Sequence, residues 1–291
     1  MLVAFAPGGS ADINARQFAQ VLSKQLGQPV VVENKAGAGG NIAAGEVARA
    51  APDGYTIFYA TSAIVFAPSL YPKLTYDPFR DFIPVALTAT IPLVLVVNPK
   101  LPVKDVKDLI AYVKGKPEGV NYASSGSGAL LHLAGAQFSQ AHELKTTHVP
   151  YKGSAPAITD VIGGQVDFMF VPINESVSYI RGGRLRALAV TTSKRQSLLP
   201  DTPTLSEALG TKSADVGAWQ GIVVPKGTPK EVVARLSAEV TKALQNPELR
   251  KQLESQGSEL LGGTAEQYAA YMKEEYTRWG EVIKKGNIKA D

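Results

Sequence analysis

The stretch Ala6-Pro7-Gly8-Gly9-Ser10-Ala11-Asp12 constrains this chain most, because it is a glycine turn that ends the first apolar run and opens the first helix. Such a turn brings backbone N–H groups to a helix N-terminus, where orphan donors and the positive end of the macrodipole favour an anion. The pattern then recurs: residues 30–33 (Val-Val-Val-Glu) read as a strand, residues 34–40 as a glycine-rich loop, and residues 41–50 as a helix. Two such loops near each other predict a small cradle for a negative group, built mostly from backbone. In the first helix, Ala15, Phe18, Ala19, Leu22 and Leu26 recur at helical spacing, Gly27 stops it, and Asp12 stands four residues before Arg16, within pairing reach.

After the turn Pro52-Asp53-Gly54, residues 55–60 read as a third strand. A βαβαβ run of this kind argues for a parallel sheet, with ligands beyond the carboxyl ends of the strands. Both glycine loops and Thr61-Ser62-Ala63 lie at those ends. Residues 71–84 read as an ordered crossing loop, residues 93–97 as an apolar strand, and Asn98-Pro99-Lys100-Leu101-Pro102 as the first domain crossing.

A second α/β unit follows. It has a helix over 106–114, a strand near 121–123, the loop Ser124-Ser125-Gly126-Ser127-Gly128, and a helix from about Ala129. A strand over 147–150 leads to Tyr151-Lys152-Gly153, then a helix over 155–162 and buried strands over 166–171 and 186–190. Residues 219–225 form a return strand, Thr228 and Pro229 read as N-cap and first position of a helix, and 231–285 is helical apart from a break over 257–264. Crossings near Asn98 and Gly221 thus divide the chain into one lobe of residues 1–98 plus 222–291 and a second of 99–221, joined by a hinge.

At 291 residues the chain fits two domains or one large α/β domain, and with 45% hydrophobic and 19% charged residues it has the composition of a folded globular protein. No apolar run reaches the roughly eighteen residues of a spanning helix. A net charge of +4, spread without a basic block, argues against nucleic acid and suits small anions. Without cysteine there is no thiolate nucleophile or cysteine metal site. A dinucleotide fingerprint would need glycine at Ile42 or Leu131, a P-loop would need Gly-Lys-Ser/Thr, and no Gly-x-Ser-x-Gly elbow occurs. An acyl or phosphoryl transferase using Ser127 with His132 is the catalytic alternative. His132, His142 and His148 share no metal-ligand spacing, so neither a metal nor a cofactor is expected.

Taken in order, the glycine turn with Ala15-Arg16, Val32-Glu33-Asn34-Lys35-Ala36-Gly37-Ala38-Gly39-Gly40, Pro52-Asp53-Gly54-Tyr55-Thr56, Tyr76-Asp77-Pro78, His148-Val149-Pro150-Tyr151-Lys152-Gly153, Leu185-Arg186-Ala187-Leu188-Ala189-Val190-Thr191 and Pro200-Asp201-Thr202-Pro203-Thr204 cover nearly the whole chain. This ordered set resembles the tripartite tricarboxylate transporter substrate-binding proteins, the Bug family. The resemblance implies a two-lobed, type II-like periplasmic binding fold of the Venus-flytrap kind. It also implies a monomer that closes on a small carboxylate, does no chemistry on it, and hands it to an inner-membrane permease; a sensor presenting the ligand to a signalling partner is the alternative. A periplasmic location is implied by the resemblance alone, since Met1-Leu2-Val3 runs straight into a strand and by itself fits either a cytoplasmic protein or one whose signal segment was removed. Lys35-Ala36 stands where Arg-Pro is commoner in the family.

In the family the two glycine loops of the first lobe grip a ligand carboxylate through backbone N–H groups and bridging waters, and the matching positions are 8–12 and 38–41. The ligand-binding candidates are therefore Phe5, Pro7, Gly8, Gly9, Ser10 and Asp12, then Ala38, Gly39, Gly40 and Asn41, with Ser62 at the third strand end. Asp12, itself anionic, is expected to brace its loop. For the ligand's far end the candidates are Ser127, Gly128, His132, Tyr151, Pro172 and Asn174, although His132 is as simply read as packed. Trp219 and the stripe Tyr268, Tyr271, Tyr276 and Trp279 read as packing aromatics.

Overall fold

A computed structural model describes residues 1–210 and 216–290. The chain divides into two compact units, Met1–Thr90 with Trp219–Glu281 and Ile91–Ala218 with Val282–Asp291. The first unit begins with β1 (Leu2–Val3), α1 (Ser10–Leu26), β2 (Glu33–Asn34), α2 (Asn41–Ala48) and β3 (Phe58–Thr61). β1 pairs in parallel with both β2 and β3. Gly27 caps α1 in the left-handed conformation, as its place after Leu26 predicts. The strand expected at 30–33 is shorter and later, because the Val30 amide is taken by the Ser23 hydroxyl (2.8 Å) and the ladder with β1 opens only at Glu33.

Two elements here were not expected. α3 (Ala63–Leu70) contains Pro68 and two β-branched residues, which mask it in the sequence. β4 (Phe82–Val97) runs unbroken for 16 residues through what reads as the end of a loop, and the first passage between units falls inside it, upstream of Asn98.

The second unit continues with α4 (Val106–Lys114), β5 (Val120–Ser124), α5 (Leu130–Ala141), β6 (Thr146–Pro150), α6 (Ser154–Gly163), β7 (Phe168–Pro172), α7 (Ile173–Arg181), β8 (Arg186–Val190) and α8 (Leu205–Leu209). β5 lies between β6 and β7, parallel to both, while the end of β4 runs antiparallel to β7 and β8. Tyr122, Phe138, Phe168 and Phe170 stack and edge together beneath this sheet.

β9 (Gly217–Pro225), α9 (Lys230–Leu244), α10 (Pro247–Ser255), β10 (Glu259–Leu260) and α11 (Ala265–Lys285) complete the chain. β9 pairs antiparallel with β3, so the sheet is mixed. Thr228 is not the N-cap of α9: its hydroxyl donates to the Pro225 carbonyl at 2.8 Å, and extended Pro229 takes the cap position. The expected break over 257–264 holds β10, which adds to β4, and a further interruption not expected falls at Asn246, whose side chain caps α10. A third passage between units falls within α11.

Strand alternation sorts the first unit's core onto two faces. Val3, Tyr59, Ile222 and Val224 meet Phe18 and Leu22 of α1, Leu236 and Val240 of α9, and Leu249 and Leu253 of α10. Leu2, Ala4, Phe58, Ala60 and Val223 meet α2, α3 and Tyr268 and Met272 of α11. Each fully buried side chain of this size contributes about 1.5–3 kcal/mol. Because β1 runs parallel to both β2 and β3, the loops that follow these three strands leave the same edge of the sheet.

Candidate functional site

The loop after β1 turns at Gly8, whose φ of +86° suits glycine, and Gly9, with φ −78° and ψ 166°, caps α1. The first amides of α1 lie ahead of the helix's own i→i−4 ladder, next to this turn. Asp12, only 3% exposed, gathers this loop. Its carboxylate accepts from the Gly8 amide at 2.9 Å, from Arg16 Nε at 3.0 Å and from Asn34 Nδ2 at 2.9 Å. Asn34 Nδ2 also donates to the Phe5 carbonyl, and Asn34 Oδ1 accepts from Arg16, so the β1 and β2 loop ends are tied through one amide side chain. Burial works against ionisation of Asp12. Hydrogen bonds from Arg16, Gly8 and Asn34, with the Arg16 charge behind them, outweigh it and hold the carboxyl below its ordinary range.

In the loop after β2, a 3₁₀ turn over Ala38–Gly40 leads into α2, with Ala38, Gly39 and Gly40 all at positive φ. A Cβ on Gly40 would lie 3.1 Å from Ala4 Cβ and 3.9 Å from the Phe5 ring, so glycine lets this loop close onto the first one. The Tyr71 hydroxyl lies 2.8 Å from where a Gly39 Cβ would stand. Asn41 accepts from the Tyr76 hydroxyl at 2.7 Å, while its Nδ2 is buried without a hydrogen-bond partner. Such an orphan donor costs roughly 1–3 kcal/mol, which an acceptor brought to it would offset. Lys35 pairs with Glu33 at 2.8 Å and Glu46 at 3.5 Å, fixing the loop's entry. Ser62 is buried at the head of α3, its amide donating to the Trp219 carbonyl. Behind Gly39 and Gly40 lies a cavity of about 10 Å³ lined by Ala4, Phe58, Thr61 and Tyr76, one water in size and too small for an organic acid.

In the second unit the loops after β5, β6 and β7 leave the carboxyl ends of three neighbouring parallel strands. The Tyr151 amide donates to the Ser124 carbonyl, and the Gly153 amide to that of Ser125, so the 124–128 and 151–153 loops are one cluster. The Tyr151 phenol is engaged elsewhere. It donates to Asp160 Oδ2 at 2.6 Å, and burial together with that carboxylate pushes its pKa up to about 12. Gly128, at φ +73°, donates its amide to His132 Nδ1 at 3.0 Å. His132 is stacked on His148 at 3.6 Å with the rings nearly parallel, and His148 Nε2 lies 2.6 Å from the fully buried Ser124 hydroxyl. Ser127 opens the turn before α5. Pro172 ends β7 and caps α7, in whose first turn Asn174 stands.

The structure thus brings the first-unit candidates into two adjoining loops, with Ser62 apart from them at the head of α3, and joins Ser127, Gly128, His132 and Tyr151 in one loop cluster, with Pro172 and Asn174 at the end of the neighbouring strand β7. Asn34, Tyr71, Ser124 and His148 are not among the individual ligand-binding candidates read from the sequence, although the Ser124 loop and the motifs holding Asn34 and His148 are singled out there, because their roles here rest on contacts between separate elements. What the arrangement offers chemically is directed N–H groups at glycine turns, with one buried carboxylate committed to bracing.

A family model described as "Tripartite tricarboxylate transporter family receptor" matches residues 14–288. Among solved structures, the periplasmic binding protein BugD is 38% identical with a TM-score of 0.89, over 100% of this chain and 98% of its own. An R. palustris protein solved with adipate is 36% identical with a TM-score of 0.91, over 100% and 97%. MatC from Rhodopseudomonas palustris, with bound malate, is 36% identical with a TM-score of 0.87, over 97% of each chain.

Proposed function

Because this chain belongs to the tripartite tricarboxylate transporter receptor family, Bug proteins included, we propose that it captures a small organic carboxylate in the periplasm and delivers it unchanged to a membrane permease. The observation that carries the reading is the pair of glycine loops at the carboxyl ends of β1 and β2, locked together by Asp12 and Asn34. In this reading the α1 amides at Gly9 and Ser10 and the turn at Ala38, Gly39, Gly40 and Asn41 hold one carboxylate, flanked by Phe5, Pro7, Gly8 and Ser62. The Asn41 Nδ2 group supplies a further donor. Ser127, Gly128, His132, Tyr151, Pro172 and Asn174 are proposed to set which acid is accepted. Relatives solved with adipate and with malate support the carboxylate class.

Magnitudes are consistent with this. A hydrogen bond to a charged group contributes about 1.5–3 kcal/mol net, and three or four of them, reduced by the cost of ordering, reach the roughly −8 kcal/mol of a micromolar complex. Donors alone suffice, so no arginine is needed at the carboxylate.

The test is a thermal-shift screen of purified protein against mono-, di- and tricarboxylates and their amides. A ligand at one hundred times its Kd adds about 2.7 kcal/mol of stability. A rise with one acid that its amide does not reproduce supports the reading. No rise with any acid, in protein shown to be folded and ligand-free, rejects it.

A further inference from the structure

We propose that His132 is a proton-sensitive latch on the Gly128 turn, so that acidification loosens the second-unit loop and weakens ligand retention; the ligand part rests on the function proposed above. The His132 ring holds the loop by accepting the Gly128 amide at Nδ1. An imidazolium has two N–H groups and no acceptor, so a proton on Nδ1 replaces the hydrogen bond with two opposed donors. The loop then loses one of its holds, while the Gly126 amide stays on Ser124 Oγ and the Ala129 amide on the Gly126 carbonyl.

His148 governs when that proton arrives. Its ring lies parallel to that of His132 at 3.6 Å, where two imidazolium charges repel strongly. The two rings respond differently to protonation. A doubly protonated His148 still donates from Nε2 to Ser124 Oγ, leaving the Ser124 hydroxyl proton for the Gly126 carbonyl at 3.0 Å. A proton on His148 is therefore tolerated by the hydrogen bonds around it, and its charge disfavours one on His132. Neutral His132 is protected by its neighbour, and the latch opens only when the pair is driven to a second proton.

The end of α11, with Lys284 and Lys285 in its last turn, reaches α5 where the Val282 carbonyl accepts from Gln140 Nε2, and the strands packed against α5 are β5, β6 and β7. Their only ionisable side chains are Tyr122, which stacks on His148 at 5.1 Å and lies 6.2 Å from His132, and His148 itself. α5 carries no ionisable residue besides His132. At the adjoining loop the ionisable groups are Tyr151, bonded to Asp160, and Lys152. Unperturbed imidazoles change charge in the roughly pH 5–8 range, and each of these two rings meets the other face to face.

The experiment is an NMR titration of the full chain from pH 8 to pH 4, following the histidine ring nitrogens and the Gly128 amide, in wild type, His132→Gln and His148→Gln. Glutamine at 132 keeps an acceptor that does not titrate. The expected result is a Gly128 amide that shifts as His132 protonates in wild type, stays unchanged in His132→Gln, and shifts at higher pH in His148→Gln. A Gly128 amide indifferent to pH in wild type, or one that titrates identically in His132→Gln, overturns the latch. Calorimetry with adipate as probe separates the two readings. A wild-type affinity at least tenfold weaker at pH 5.0 than at pH 7.5, flattened in His132→Gln, supports the latch, and equal pH dependence in both proteins overturns its link to ligand. Absence of adipate binding at pH 7.5 counts against the carboxylate reading for that probe, and the NMR titration then decides the latch alone.

Discussion

Asp12 reaches back four residues to accept the Gly8 amide at 2.9 Å, so the turn that precedes α1 is closed by a side chain of α1's own first turn. The same carboxylate holds Asn34 and Arg16. One residue therefore sets the shape of two loops, and its removal leaves three donors without their acceptor. Asp12→Ala is expected to lower stability by about 1–3 kcal/mol, read by urea denaturation, and to weaken carboxylate binding along with it. Unchanged stability would mean that the loops are held by something other than this brace.

The brace also sets an acid dependence. The folded state holds Asp12 below its ordinary range, so on acidification the unfolded chain takes up this proton first. Its contribution is complete above about pH 4, the unfolded carboxyl value, and is lost as pH falls through the lower folded value. The stability gap between wild type and Asp12→Ala should therefore be constant from pH 7 to pH 5 and shrink below pH 4 in denaturation curves.

Gly8 and Gly9 separate backbone demand from ligand access. Alanine at Gly8 must adopt φ +86°, at a cost of roughly 1–2 kcal/mol. Alanine at Gly9 meets an ordinary backbone conformation, with its nearest neighbour, the Ala6 carbonyl, at 3.8 Å. Gly9→Ala should leave thermal stability within about 0.5 kcal/mol and still reduce carboxylate affinity, because a methyl group crowds the amide end of α1. Full affinity in a normally stable Gly9→Ala protein would remove this turn from the proposed site.

Glu275 of α11 is a second point of concentrated dependence. Its Oε2 accepts from the indole N–H groups of both Trp219 and Trp279 at 3.1 Å, and its Oε1 pairs with Arg278 at 2.7 Å. Glu275→Ala strands two buried indole donors and part of a guanidinium, so it should cost about 3–5 kcal/mol, measured by denaturation. Glu275→Gln, which keeps one acceptor oxygen, should cost less.

Much of the layout was legible in the sequence where local chemistry and fold agree. α4 begins and ends as its spacing predicts, with Asp105 capping its first turn at the Asp108 amide, and β8 coincides with its apolar run. The glycine loops could be placed because residues at positive φ, such as Gly8, Gly39 and Gly128, leave a compositional mark. α3 was hidden because Pro68 reads as a breaker although it sits where tertiary packing of Ile64, Val65 and Phe66 decides. β10 is two residues long and exists only through its pairing with β4. Links such as Asn34 to Asp12, or His132 to His148, join residues 22 and 16 positions apart with no shared period, so only the folded chain shows them.

The shared carboxylate of Glu275 has one further consequence. The chain has two tryptophans, and both belong to the first unit. Excited at the red edge of indole absorption, the protein emits from that unit alone. Fluorescence thus reports on one half of the molecule and circular dichroism on the whole. Any separation between their melting curves is a direct optical record of the two units losing structure at different temperatures, without a label or a substitution.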